Sequence, residues 1–188
     1  MKSKIIVLVI LLSQSVLASE AKNTLSLELY LPGLQFRTYQ DDVKATQFRK
    51  SEQLSFHLTH NELFLAGLEF SRFSESSGGP SLNFQSETTE WLLFAGYNFI
   101  NYKTADIRFN LYGTGYYGQN QTEIETSLLG QNSSQDSVAE NVLGFGLVPQ
   151  VIYYNFILSL DGRWMESKAY TPQATFVTTF KLGYSFSL

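Results

Sequence analysis

Along most of this chain, large apolar residues recur at every second position. The clearest run is Ala174 to Leu188, where Phe176, Phe180, Leu182, Tyr184, Phe186 and Leu188 alternate with small or polar residues. A period of two belongs to a strand, whose successive side chains point to opposite faces. Seven earlier stretches share it: Thr24 to Leu31, Gln53 to His60, Leu63 to Phe73, Thr89 to Ile100, Ala105 to Gly118, Glu140 to Tyr153 and Phe156 to Glu166. In the first, Leu25, Leu27, Leu29 and Leu31 share a face, and Ser26, Glu28 and Tyr30 share the other. Pro32-Gly33 interrupts it before Leu34 and Phe36 resume, which predicts a bulge in one long strand. Pro149 lies inside the sixth stretch and predicts a bulge or local break, because a closed sheet offers no free edge to a proline. Several stretches exceed the roughly 5–6 residues usual for a strand and reach the ~9–11 that cross a bilayer at a tilt.

Polar connections separate the strands, and their lengths alternate. Gln40 to Glu52, Ser74 to Thr88, Gln119 to Ser137 and Ser167 to Gln173 are expected as loops, most of them long. The connections near Asn61, Tyr102 and Asn155 are short. Long loops at one end and tight turns at the other are the layout of an up-and-down barrel in an outer membrane, with the turns on the periplasmic side. A soluble lipocalin-like barrel would show the same alternation with its apolar face inward. The strand lengths, the mixed charges on the polar face and the aromatics near strand ends (Trp91, Tyr97, Tyr102, Tyr153, Tyr154, Trp164) favour the membrane.

Composition fits that reading. Aromatics make up 15% of the chain, and no apolar run after the first residues is long enough for a helical span. Met1 to Ala18 carries Lys2 and Lys4, the apolar run Ile5 to Leu12, and Val16-Leu17-Ala18 as a cleavage site, so it reads as a secretory signal peptide. A second candidate cut follows Ala21. Residues 19–188 are then one barrel domain. Losing Lys2 and Lys4 lowers Lys plus Arg from 13 to 11 against 17 acids, taking the formal charge from −4 to −6. An acidic exported chain has no electrostatic case for binding nucleic acid. Without cysteine, neither a disulfide nor a thiolate metal site exists.

Lys181-Leu182-Gly183-Tyr184-Ser185-Phe186-Ser187-Leu188 resembles the C-terminal signal that the barrel-assembly machinery reads in bacterial outer-membrane proteins. Lys181, Gly183, Phe186 and Leu188 occupy its set positions, and Leu188 departs from the commoner final Phe. In length and layout, the exported part resembles small eight-stranded outer-membrane proteins of the OmpA-domain, OmpX or OmpW kind. The resemblance implies an all-β fold: a closed, up-and-down antiparallel transmembrane β-barrel of about eight strands. It also implies outer-membrane lipids, lipopolysaccharide and the assembly machinery as partners.

A barrel of ~8 strands has an interior just wide enough for side chains to fill. The inward set is expected to carry Glu28, Glu69, Glu90, Asp106 and Asp161 against Arg108, Arg163 and Lys181. Ionised groups in a core are costly unless paired. Asp106 with Arg108, and Asp161 with Arg163, share a face two residues apart, which predicts a plug of ion pairs. A polar or gated pore is the competing reading. His57, flanked on its face by Ser55 and Thr59, raises a base-and-hydroxyl pair of the kind a lipid A-modifying enzyme would use. Serine and threonine are abundant here, and His57 is read as an interior polar residue. His60 is read as solvated in a turn. Tyr112, Tyr116 and Tyr117 are weaker candidates for a ligand site. No cofactor or metal motif is found. The expected function is a non-enzymatic structural or surface-interaction protein of the outer membrane. A small passive channel or carrier for apolar molecules is the alternative, ahead of the enzyme.

Overall fold

In a computed structural model, described for residues 24–38, 52–79, 82–128, 131–168 and 174–188, every regular element is a strand. They are β1 (Leu25–Tyr30), β2 (Leu34–Thr38), β3 (Glu52–His60), β4 (Phe64–Gly79), β5 (Leu82–Lys103), β6 (Ile107–Leu128), β7 (Gln131–Asp136), β8 (Glu140–Tyr153), β9 (Phe156–Ser167) and β10 (Ala174–Ser187). All pairings are antiparallel, and consecutive ring strands are neighbours. β1 pairs with β3 on one side and β10 on the other, so the sheet closes on itself. β2 continues β1 along β10, and β7 pairs only with the outer end of β6. Ten strands less these two leave an eight-membered ring. The predicted signal peptide and the Gln40 loop lie outside the described residues.

Pro32-Gly33 is the bulge its sequence predicts. Tyr30 faces Gly183 and Leu34 faces Phe180, so four steps on one strand match three on the other. Pro149 produces a break without a bulge. The β8–β9 ladder runs to Leu147↔Gly162 and resumes at Gln150↔Ser159 in the same register. The missing N–H explains the gap, and the unbroken β6–β8 ladder explains why the register survives.

Two expected loops are strands instead. β4 and β5 stay paired to Gly79↔Leu82, and β6 runs to Leu128 before returning as β7. From Phe73 to Gly79, at about 3.3 Å per residue, this hairpin extends roughly 20 Å past the last β3–β4 pair. The ladder satisfies the backbone there without an apolar face, so alternation gives no warning of it.

The two faces of the ring settle its orientation. Glu28, Gln53, His57, Glu69, Glu90, Asn110, Gln150, Asp161, Arg163, Thr179 and Lys181 are buried inside. Phe56, Leu68, Phe70, Leu93, Phe145, Leu158, Phe176 and Leu182 are exposed outside, Phe145 by 68%. Outward apolar and inward polar is the arrangement a bilayer requires and water forbids.

Candidate functional site: the braced interior

The inward side chains converge on the barrel axis and meet partners on distant strands. Glu69 of β4 accepts from Arg163 of β9 and Lys181 of β10. β4 and β9 stand opposite each other in the ring, so the first contact spans the lumen. Lys181 also pairs with Asp161 at 2.7 Å, and the Tyr116 hydroxyl donates to Asp161 at 3.3 Å. The Arg163 guanidinium lies 5.0 Å over the Tyr116 ring, a favourable cation–π distance. Glu90, buried higher on β5, is near enough to act electrostatically on Arg163. Glu69, Arg163, Lys181 and Asp161 are all close to fully buried, where a lone charge would be prohibitive.

A second cluster joins the first through His57. The Tyr30 hydroxyl donates to Glu28 at 2.7 Å, and the Gln150 amide donates to Tyr30 at 2.8 Å and Glu28 at 3.3 Å. The His57 ring sits between Tyr30 and Phe94, with centroids 4.4 and 4.7 Å away. Its Nδ1 is 3.5 Å from Glu28 and its Nε2 4.0 Å from Glu69. It faces carboxylates, and neither ring nitrogen has a hydrogen-bond partner within the protein. That is no base poised on a hydroxyl.

Six of the eight predicted interior charges lie inside: Glu28, Glu69, Glu90, Asp161, Arg163 and Lys181. Two do not. Asp106 is exposed in the bend before β6, which begins at Ile107, so strand alternation never reaches it. Arg108 is at the rim beside the short turns and pairs with Glu62 at 2.5 Å. Neither same-strand pair forms. Residues two apart on a strand are separated by about 6.6 Å, whereas inward side chains from facing strands end near one another at the axis. Sequence reasoning missed Gln150, Tyr30 and Glu62. Gln150 has the inward parity of its strand, but Pro149 beside it obscures the pattern.

The rim at the short turns is aromatic. Phe64, Tyr97 and Phe99 stack edge to face at 5.5 and 5.9 Å, as do Phe156 and Tyr184 at 5.4 Å. Tyr102, Tyr153 and Tyr154 are exposed beside them, as an interfacial girdle is. Trp91 and Trp164 face outward, while Tyr112 and Tyr116 are buried inside and Tyr117 points out. Within the predicted assembly signal, Lys181 belongs to the interior network, and Phe186 and Leu188 face outward. A Cβ on Gly183 would lie 2.7 Å from the Tyr30 ring, so glycine lets Tyr30 cross the closing seam. Among the described residues, no group of three or more His, Asp or Glu could hold a metal.

No family model matches this chain, and no curated protein matches it in sequence. Solved structures do. The Yersinia pestis attachment invasion locus protein Ail superimposes with a TM-score of 0.56 at 11% identity, over 87% of this chain and 99% of that one. Ail in complex with the heparin analogue sucrose octasulfate gives 0.55 at 11% identity, with the same coverage. The N-terminal β-barrel domain of Pseudomonas aeruginosa OprF aligns at 15% identity and a TM-score of 0.47, over 87% and 98% of the two chains. The fold is that of a small outer-membrane β-barrel. With its apolar wall turned outward, this barrel is an integral protein of a bacterial outer membrane.

Proposed function

We propose that this barrel is a non-enzymatic surface protein whose lumen is closed by its own side chains. The observation behind this reading is Glu69, held at once by Arg163 and Lys181 across the ring. Such a brace fills the axis where a pore would need water. Glu28, Asp161, Gln150 and Tyr116 extend it along the lumen. What the protein offers its surroundings is the sheet formed by the outer ends of β4, β5 and β6 with β7, which stands clear of the membrane on the long-loop side. Lipopolysaccharide surrounds its base. The exported domain runs from residue 19, and Lys181, Gly183, Phe186 and Leu188 are read by the assembly machinery before the seam closes.

Conductance in planar bilayers tests the plug. The wild type should stay silent, and Glu69→Ala, which removes the anion between two cations, should produce discrete openings. Steady wild-type conductance would favour the channel instead. The enzymatic reading has a separate test. His57→Ala should leave the lipid A mass profile of expressing cells unchanged, and a changed profile would reinstate it.

A further inference from the structure

The outer wall is not evenly convex. On its membrane face, Ala66 of β4 lies beside Ala95 of β5, which lies beside Gly115 of β6. Three small residues side by side cut a notch into a wall otherwise studded with Leu and Phe. Leu68, Leu93 and Tyr117 form the next row toward the long loops. Toward the short turns, Phe64, Tyr97 and Phe99 form a stacked sill. The depression measures about 750 Å³, and Leu58 of β3 closes one end. From β3 to β6, at strand spacings near 4.8 Å, it runs roughly 14 Å. A Cβ placed on Gly115 would meet no atom within 4 Å, so the space is open.

We propose that this notch seats one acyl chain of a phospholipid from the periplasmic leaflet. It is continuous with the lipid-facing band, so hydrocarbon reaches it without leaving the membrane. Its lining is apolar, which excludes a headgroup. It opens directly above the aromatic sill on the short-turn side, which places it in the periplasmic half of the bilayer, away from lipopolysaccharide. Small residues let a neighbour approach the backbone closely and gain van der Waals contact. A second copy fits poorly. A two-fold dimer apposes a patch to itself, and two facing notches would leave a void.

The test reconstitutes the wild type in vesicles of phosphatidylethanolamine, phosphatidylglycerol and added lipopolysaccharide, exchanges it into mild detergent, and counts retained lipids by native mass spectrometry. One retained phospholipid is expected. Gly115→Leu and, independently, Ala95→Leu fill the notch and should cut retention about tenfold, equivalent to about 1.4 kcal/mol. Leu160→Ile, outward-facing on β9 across the ring from β4, should retain lipid as the wild type does. Folding of each variant is checked by its heat-modifiable gel mobility, and the two notch variants sit on different strands so that one can fail without ending the test. The proposal is overturned by a wild type that retains no phospholipid, by equal retention in both notch variants, or by retention of lipopolysaccharide alone. A dimer that both variants dissolve would overturn it in favour of a second copy.

Discussion

Beyond a bulge at Phe99, β5 and β6 pass through two environments in one unbroken register, and their side chains change code on the way. Between Trp91 and Tyr97, β5 alternates strictly: Leu93 and Ala95 meet lipid, Leu92 and Phe94 meet the core. Past Asn120, β6 is still paired to Glu87↔Glu123 and beyond, yet Gln121, Glu123, Ile124 and Glu125 are all exposed. There the sheet is held by its backbone ladder and by polar side-chain contacts such as Thr88 to Thr122 at 2.9 Å and Ser134 to Glu123 at 3.0 Å. Alternation therefore reports a difference between the two faces of a strand. It does not report the strand itself. Where both faces are wet, a strand of equal length carries no such mark.

The sharpest way to break this comparison is to remove one carboxylate from each region. Glu69→Ala takes the carboxylate from Arg163 and leaves Lys181 with Asp161 alone in the interior, and should cost about 3–5 kcal/mol. Glu123→Ala, in the protruding sheet, should stay within about 0.5 kcal/mol. Urea unfolding from lipid vesicles, followed by gel mobility, measures both. Equal costs would mean the interior network is no more dependent on its partners than a solvated surface.

The same contrast applies to the outer faces. Leu93→Arg puts a cation against hydrocarbon and should destabilise by about 2–4 kcal/mol. Ile124→Arg meets water and should move stability by no more than about 0.5 kcal/mol. The same unfolding assay compares them. A large effect at Ile124 would place the membrane boundary higher than the exposed polar residues imply.

A smaller effect is expected at the seam. Gly183→Ala sets a methyl against the Tyr30 ring and the Leu29 carbonyl, an overpacking that should cost about 1–3 kcal/mol. Tyr30→Ala should relieve the ring's share of it in the double variant. A cost that Tyr30→Ala leaves unchanged would place the strain at the Leu29 carbonyl instead.

These sites differ in how legible they were. The ring strands, the Pro32-Gly33 bulge and the six interior charges follow from parity, because lipid on one side and a packed lumen on the other filter residues at every second position. Pairing inside the lumen does not follow. Arg163 reaches Glu69 across the ring, 94 residues away in sequence, and no local spacing encodes which inward side chains meet at an axis. Asp106 fails for a different reason: it lies one residue before β6 begins, outside the strand whose parity it would share. The protruding hairpins were invisible because both of their faces select for polarity, and the same composition marks a loop.

The smallest effect concerns the turn end, where Glu62 forms a clasp that the lumen lacks. Asn61 and Glu62 have φ of 53° and 58°, the left-handed pair that a two-residue hairpin turn demands. Glutamate is poorly suited to that conformation, so something must hold it. Arg108 does so at 2.5 Å, with Lys103 at 3.9 Å, Asn101 donating at 3.2 Å, and Asn98 donating to its main-chain oxygen at 2.8 Å. Burial alone would raise the Glu62 carboxyl; the Asn101 and Arg108 hydrogen bonds and the nearby cations outweigh it and hold the group below the usual range. A carboxyl depressed in the folded state contributes stability that is complete above its unfolded value, about 4.3, and is lost as pH falls through the folded one. The group is half-buried and screened, so Glu62→Gln should cost about 1 kcal/mol or less at neutral pH. The gap between Glu62→Gln and wild type should narrow as pH drops below about 4. Arg108→Met should reduce that pH dependence by removing the main cation. A gap that stays constant from neutral to acid pH would show that Glu62 holds the turn through its backbone contacts, with no contribution from its charge.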